Sequence, residues 1–285
     1  MNSRLIEVVN LTKRYGSKTV LQDISFSVEA GTIFGLIGPS GVGKTTLINL
    51  LTGQTKRDGG SASIFGHDCE KIPKEIYAQI GMVLDTPALF ERLSCYQNLL
   101  VYADIWGVHK SRIPAVLEQV GLQGEQKTHA YQLSKGMKQR LILARALLHS
   151  PKILFMDEPT SALDPSNTQT VHEIIKSLQE NGTTIFLTTH RMNEVMKLCD
   201  QIVLLHNGRI VENGNPYEIC CKYDHEKSIR ITFANGKMIT LAKSEDTSKM
   251  IADYVSRGEL KALHSSEPDL ETVFLTLVKS QKENT

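Results

Sequence analysis

Residues 38–46, GPSGVGKTT, have the residue types and the spacing of a phosphate-binding loop. Glycines allow a backbone to turn its N–H groups toward phosphate oxygens, and the helix that follows adds unpaired N–H groups at its first turn. We expect Lys44 to neutralise phosphate charge and the hydroxyl of Thr45 to ligate Mg²⁺. The predicted nucleotide-binding residues of this loop are Gly38, Pro39, Ser40, Gly41, Val42, Gly43, Lys44, Thr45 and Thr46.

The acidic pair Asp157 and Glu158 could also take part in catalysis. It follows the apolar run in residues 152–164, KILFMDEPTSALD. In an α/β sheet, ligands bind outside the carboxyl ends of the strands, so both carboxylates are expected beside the nucleotide. Asp157 is placed to hold Mg²⁺ through water, and Glu158 to activate the attacking water as a general base. The competing interpretation is a solvated acidic loop after a strand.

A second glycine-flanked helix start lies in residues 133–148, LSKGMKQRLILARALL. Ser134 is a plausible N-cap and Gly136 falls in the first turn, so this helix offers another possible phosphate contact. An ordinary capped helix explains the same pattern.

The order of elements predicts an α/β fold with a parallel sheet covered by helices. Strands are expected at 31–37, 152–156 and 183–188, and helices at 44–52 and 168–178. Residues 87–149 carry almost no strand signal and are expected to form a helical insertion. The body is predicted to end at residue 222, and residues 223–285 to form a small α+β domain with a hairpin at Asn235-Gly236.

Composition restricts the class of protein. The chain has 285 residues, 41% hydrophobic and 22% charged, which is typical of a globular protein and allows two domains. Its 32 basic and 31 acidic residues argue against broad nucleic-acid binding. We find no apolar run of membrane-spanning length and no signal peptide, and the five cysteines lack zinc spacing. These observations favour a cytoplasmic protein.

The motifs together resemble the ATP-binding cassette ATPases. Residues 133–140, LSKGMKQR, are similar to the signature motif of that family, and they precede the acidic strand as they do there. A GTPase is disfavoured because we find no guanine-reading NKxD segment. The resemblance covers about residues 4–220 and implies a P-loop NTPase fold that binds and hydrolyses ATP.

The resemblance also implies roles for residues that their own spacing does not identify. Tyr15 is placed like the aromatic residue that stacks on adenine, Asp164 ends a segment similar to the D-loop, and His190 resembles the switch histidine that contacts the γ-phosphate. Asp85 stands where the family has the catalytic Q-loop glutamine or glutamate, and it cannot donate a hydrogen bond as glutamine does. The signature also departs from the family's usual residues, with Lys135 for glycine and Met137 for glutamine.

Partners are likewise implied by the resemblance. The family works as a head-to-tail dimer, here a homodimer or a heterodimer, with each ATP between the phosphate loop of one subunit and Ser134 and Gly136 of the other. Because no membrane segment is found, permease subunits are expected separately. They would provide the only contact with the membrane, on its cytoplasmic face.

The ending EPDLETVFLTLV resembles ATPases of drug and antibiotic exporters, and we expect drugs, antimicrobial peptides or lipids as cargo. Export of sodium or of polysaccharide is the runner-up. Two further alternatives are a soluble cassette protein acting on ribosomes or DNA and a regulator that binds ATP without hydrolysing it.

Residues 89–106 hold the aromatic side chains Phe90, Tyr96, Tyr102 and Trp106. The family docks a helix of the membrane subunit in this neighbourhood, and aromatic residues are enriched at interface cores. Packing within the helical insertion remains the equal alternative.

Overall fold

A computed structural model describes residues 4–84, 89–223, 228–265 and 269–283, the last four through their backbone alone. The chain divides into two compact units, one ending at Asn215 and the other beginning at Pro216. The predicted boundary after residue 222 lies one helix later. This helix, Pro216–Lys222, belongs to the second unit, where it packs on the last helix of the chain.

The first unit contains both strands and helices. Its strands are β1 (Arg4–Tyr15), β2 (Lys18–Glu29), β3 (Ile33–Ile37), β4 (Gly59–Ile64), β5 (His67–Asp68), β6 (Ile80–Val83), β7 (Ile153–Asp157), β8 (Thr184–Thr189), β9 (Gln201–His206) and β10 (Arg209–Gly214). Its α-helices are α1 (Lys44–Leu51), α2 (Lys74–Tyr77), α3 (Cys95–Trp106), α4 (Arg112–Gln119), α5 (Lys135–Leu147), α6 (Pro165–Glu180) and α7 (Met192–Leu198).

The central sheet has the strand order β10-β9-β3-β8-β7-β6, and all neighbouring pairs except β10 with β9 are parallel. Every residue of β3, β7 and β8 is buried, which explains why these strands appear as continuous apolar runs. Phe34, Phe186 and Phe155 lie opposite one another on these three strands, with ring centroids 5.2 Å apart at both steps. These ring contacts hold together three strands. The residues predicted to act on the nucleotide lie at the carboxyl ends of these strands.

A second sheet, β2-β1-β4-β5, lies in the same unit and is antiparallel. Its long β1–β2 hairpin turns at Tyr15, which pairs with Lys18. Leu11, Leu21 and Ile24 of these strands lie in the core, and shifts in the β1–β2 register interrupt the regular alternation of buried and exposed residues.

Helices form the described part of the predicted insertion. Helix α3 begins with a reciprocal capping box between Ser94 and Gln97 and ends at Gly107, whose φ is +64°. Asn98, which is buried, donates to the carbonyl oxygens of Phe90 and Leu93 and so ties the preceding loop to this helix. Among described residues 89–149 we find no strand, only one isolated bridge.

The second unit is a small α+β domain. Its helices are α8 (Pro216–Lys222), α9 (Glu245–Ser256) and α10 (Leu270–Glu283), and its strands are β11 (Ser228–Phe233), β12 (Met238–Ala242) and β13 (Leu260–Ser265). The sheet order is β12-β11-β13, and the β11–β12 hairpin turns at Asn235-Gly236 as predicted. The structure therefore confirms the fold class, an α/β body with a helical insertion and an α+β appendage.

The five cysteines are not paired with one another, and four of them are buried. Burial raises the pKa of Cys69 to about 12 and that of Cys95 to about 11, and burial also raises the pKa of Cys199. Cys221 is exposed on α8. In the described part of the chain, no helix combines the length and the apolar character needed to cross a membrane.

Candidate nucleotide-binding site

The phosphate loop connects β3 with α1 at the carboxyl edge of the central sheet. Its backbone needs glycine: Gly43, which caps α1, has φ +115°, and a Cβ on Gly38 would overlap the carbonyl oxygen of Leu205. Lys44 is 7% exposed, and its Nζ donates to the carbonyl of Gly38 at 2.7 Å. A buried cation thus lies under a loop whose shape depends on glycine.

A cavity of about 370 Å³ lies beside this loop. Pro39, Ser40, Gly41 and Val42 form one wall, and β2 together with the β9–β10 turn forms the rest. The lining residues outside the loop are Lys18, Thr19, Val20, His206, Asn207 and Gly208. Four of the nine predicted loop residues, those at positions 39–42, therefore border a space large enough for a small ligand.

Asp157 is 6% exposed and accepts hydrogen bonds from two threonines. The Oγ1 of Thr45 donates to its Oδ2 at 2.8 Å, and the Oγ1 of Thr188 donates to its Oδ1. The predicted pair of Asp157 and Thr45 is therefore brought together. Thr188 was not predicted, because its place opposite Asp157 follows from the pairing of β7 with β8.

Glu158 lies between two basic side chains. Its Oε1 is 3.2 Å from Lys44 Nζ, and its Oε2 is 2.9 Å from His190 Nδ1. The second contact has ion-pair distance but not the alignment of a hydrogen bond. Glu158 has φ +50°, a backbone conformation that is unusual for a residue with a side chain. The structure thus places Glu158, Lys44 and His190 together.

Ser134 caps α5 by accepting a hydrogen bond from the backbone N–H of Met137 at 3.2 Å. Gly136 is buried against Asn167 of α6, where an added Cβ would overlap the asparagine side chain. Neither residue lines the cavity at the phosphate loop. The structure does not bring Ser134 and Gly136 to the phosphate loop of the same chain.

The first turns of α5 instead border a different cavity, of about 230 Å³. Lys135 and Lys138 line it together with Asp157 and Glu158. Lys135, which stands where the family usually has glycine, thus borders the same cavity as the acidic pair of its own chain.

Tyr15 is half-exposed at the turn of the β1–β2 hairpin, with Lys13 Nζ 5.1 Å from its ring centroid. Its partner in the hairpin, Lys18, lines the larger cavity.

Thr46 lies in α1, and Asp164 caps α6 by accepting a hydrogen bond from the N–H of Asn167. Asp85 lies outside the described residues.

The predicted aromatic region borders a third cavity, of about 300 Å³. Trp106 and Tyr102 line it, and Trp106 stacks on His149 at 4.5 Å between ring centroids. Phe90 and Trp106 are 48% and 40% exposed, so these rings are not packed in a closed core.

Comparison with known proteins decides the family. The family model described as ABC transporter matches residues 21–161. The bacitracin transport ATP-binding protein BcrA of Bacillus licheniformis is 42% identical over 212 residues, which cover 74% of this chain and 69% of BcrA. The chain belongs to the ATP-binding cassette transporter family. It is the ATP-hydrolysing subunit of a transporter.

Other relatives extend the similarity of this ABC protein to nearly its full length. The linearmycin resistance ATP-binding protein LnrL of Bacillus subtilis (strain 168) is 35% identical, over 96% of this chain and 98% of LnrL. A solved ATP-binding subunit of an ABC transporter has 31% identity and a TM-score of 0.69, over 77% of this chain and 93% of that chain. CbiO1 of Clostridium perfringens has 27% identity and a TM-score of 0.71, over 78% and 92%.

Proposed function

We propose that this ABC protein powers an exporter of antibiotics or related drugs, peptides or lipids, as one half of a dimer that encloses ATP. The observation that carries the proposal is the group formed by Lys44, Glu158 and His190 at the edge of the central sheet. The cargo class is supported by relatives named for transport of, or resistance to, bacitracin, linearmycin and fluoroquinolones.

Each group has a step in ATP hydrolysis. Lys44 is placed to move from the carboxylate of Glu158 to the phosphates, where its charge stabilises the negative charge that develops in the transition state. Glu158 then accepts a proton from the attacking water as general base. His190, within 2.9 Å of the same carboxylate, orients it and reaches toward the γ-phosphate. Tyr15 is proposed to stack on adenine.

The oxygens of Thr45 and Asp157 fit Mg²⁺. They lie 2.8 Å apart, and Mg²⁺ is commonly held by one or two protein oxygens together with phosphates and water. When bound, Mg²⁺ neutralises phosphate charge. Asp85 is proposed to act near this ion through water.

A second copy, or a related ABC subunit, is proposed to complete each site. Ser134 and Gly136 do not border the cavity at the phosphate loop of their own chain. A head-to-tail partner would bring its own α5 N-terminus to that cavity, where unpaired N–H groups bind anions.

The permease is proposed to dock at the cavity beside Trp106. Exposed aromatic rings are suited to the apolar core of an interface. The ABC protein would then lie on the cytoplasmic face of the membrane and reach the bilayer only through its permease. We expect no nucleic-acid partner.

Copurification tests this proposal. The full chain should be retained with a membrane protein of its own organism, and that complex should hydrolyse ATP faster than the chain alone. Retention with ribosomes or DNA, with no membrane protein, would instead support the soluble alternative. Binding of ATP without turnover in the complex would support the regulator.

A further inference from the structure

A buried polar cluster lies behind the catalytic edge, and none of the roles above uses it. Its centre is Glu194 of α7, which is 3% exposed. The Oε1 of Glu194 accepts a hydrogen bond from Thr160 Oγ1 at 2.7 Å and lies 2.9 Å from His172 Nε2. The cluster therefore joins the loop after β7, helix α6 and helix α7.

The backbone of Thr160 is also hydrogen-bonded, to a residue near the start of α7. The Nη1 of Arg191 donates to the carbonyl oxygen of Thr160 at 3.1 Å. Arg191 directly follows His190, and Glu194 is three residues further along the chain. Thr160 is thus bonded, through its side chain and through its backbone, to the segment that begins with the switch histidine.

In the loop after β7, Thr160 lies two residues after Glu158. Both residues belong to a tight turn over residues 158–161, in which the N–H of Ser161 donates to the carbonyl of Glu158 at 3.2 Å. Glu158 has φ +50°, and such a conformation persists only where the surroundings fix it. The hydrogen bonds of Thr160 hold the turn that contains Glu158 and so help to fix this backbone conformation.

The charge state of Glu194 makes these bonds strong. Burial by itself would raise the pKa of this carboxyl, but its hydrogen bonds with His172 and Thr160 contribute to a net lowering. Glu194 is therefore a carboxylate, and hydrogen bonds to an ionised acceptor are stronger than neutral ones.

We propose that Thr160 is a positioning residue for ATP hydrolysis, because it links the loop that holds Glu158 to the segment that holds His190. The proposal rests on the roles given above to these two catalytic residues. Thr160 acts through them and does not contact the nucleotide. Loss of its hydroxyl should make the distance between the Glu158 carboxylate and the His190 imidazole more variable while leaving the phosphate loop intact.

The decisive experiment compares Thr160→Val with the wild-type full chain in steady-state ATPase assays. Valine keeps the shape of threonine and replaces the hydroxyl with a methyl group. We expect kcat to fall about tenfold while KM for ATP changes less than about twofold, the pattern of an interaction that matters in the transition state. Thr160→Ser restores the hydroxyl and should recover most of kcat.

Thr168→Val is the matched control. Thr168 is a buried threonine of α6 whose hydroxyl has no hydrogen-bond partner among the described residues. Its replacement should leave kcat unchanged. An equal loss in Thr160→Val and Thr168→Val would overturn the proposal, since any buried threonine would then have the same effect.

Arg191→Ala keeps the test decisive should Thr160→Val fail to fold, because Arg191 is exposed and its loss leaves the core unchanged. This variant should also lower kcat more than it changes KM. Unchanged kcat in Arg191→Ala, and in Thr160→Val where it folds, would refute the positioning role. Failure of the proposed function would differ, because Glu158→Gln would then turn over ATP like the wild type.

Discussion

Glu158 has Lys44 near one carboxylate oxygen and His190 near the other. The lysine can bind either this carboxylate or the phosphates of a nucleotide, so binding of ATP also changes the surroundings of the proposed base. Asp157 differs, because its two oxygens accept from Thr45 and Thr188 and are fixed in place. The adjacent acidic residues therefore have different surroundings, which fits the separate tasks proposed for them.

Glu158→Gln should preserve ATP binding and lower hydrolysis at least about 100-fold, since glutamine cannot accept the proton of the attacking water. Phosphate release and equilibrium nucleotide binding measure the two effects separately. Lys44→Ala serves as the contrasting variant, because it should weaken nucleotide binding itself. Normal turnover by Glu158→Gln would remove this residue from the role of base.

Thr188→Val should raise the Mg²⁺ concentration needed for half-maximal hydrolysis by roughly tenfold, because Asp157 loses a charge-assisted hydrogen bond that orients it. A titration of ATPase activity with Mg²⁺ gives this value. The variant Thr168→Val again provides the control. An unchanged Mg²⁺ requirement would mean that Thr45 alone is sufficient to orient the carboxylate.

The sequence predicts Lys44, Thr45, Asp157 and Glu158 because their motifs are local. It does not predict Thr188 as the partner of Asp157, since 31 residues separate them and only the register of β7 with β8 makes them neighbours. Glu194 was missed for the same reason. A glutamate within a short helix has no local feature that indicates burial.

At the scale of elements, helices α5 and α6 meet where Gly136 packs on Asn167. Asn167 also donates to Asp164 at 2.6 Å, so Asn167 links the start of the signature helix to the residue that ends the proposed D-loop. The sequence suggested a phosphate contact for Gly136. The structure adds a steric reason for glycine at this position.

Gly136→Ala should lower the free energy of unfolding by about 1–3 kcal/mol, because the new methyl group has no space against Asn167. Chemical denaturation of the full chain measures the change. Gly124→Ala is the matched control, since Gly124 has open space around it and no positive φ. Equal stability of Gly136→Ala and wild type would mean that α6 moves away at little cost.

Helix α3 also places Trp106, the single tryptophan, against His149. Burial lowers the pKa of His149 from its ordinary value of about 6.5, despite the hydrogen bond with the Ile80 carbonyl. The imidazole is therefore neutral at pH 7 and becomes charged only at a lower pH. Since its neutral form is favoured by folding, the stability contributed by His149 is lost as the pH falls through its folded pKa.

Trp106 fluorescence should consequently decrease on acidification with a midpoint below pH 6.5, because a protonated imidazole quenches an indole stacked on it. Emission recorded between pH 8 and pH 5 gives the midpoint. His149→Gln should abolish the transition. A midpoint at or above pH 6.5 would contradict the effect of burial.

At the scale of the whole molecule, all described site residues lie in the unit that ends at Asn215. The helical insertion and the second unit were both expected from changes in hydrophobic pattern. Strand β13 was not predicted, because exposed residues lie on both of its faces and none of its residues is fully buried. The sequence pattern also does not show that α8 packs with α10, the contact that groups residues 216–222 with the second unit.

A chain that ends at residue 215 should bind ATP with the affinity of the full chain within about twofold, because no contact to the nucleotide is expected from residues 216–285. Equilibrium binding of a fluorescent ATP analogue to both forms makes the comparison. Lys44→Ala in the shortened chain checks that binding is specific. A large loss of affinity would assign the second unit a direct part in the site.

The distribution of thiols has a practical consequence. Cys221 is exposed, whereas the other four cysteines are buried and three of them have raised pKa values. A maleimide at neutral pH will therefore modify the natural chain at one position, in the second unit. A spin label or dye attached there would report the separation of the two subunits of the proposed dimer during turnover, without any prior engineering of the sequence.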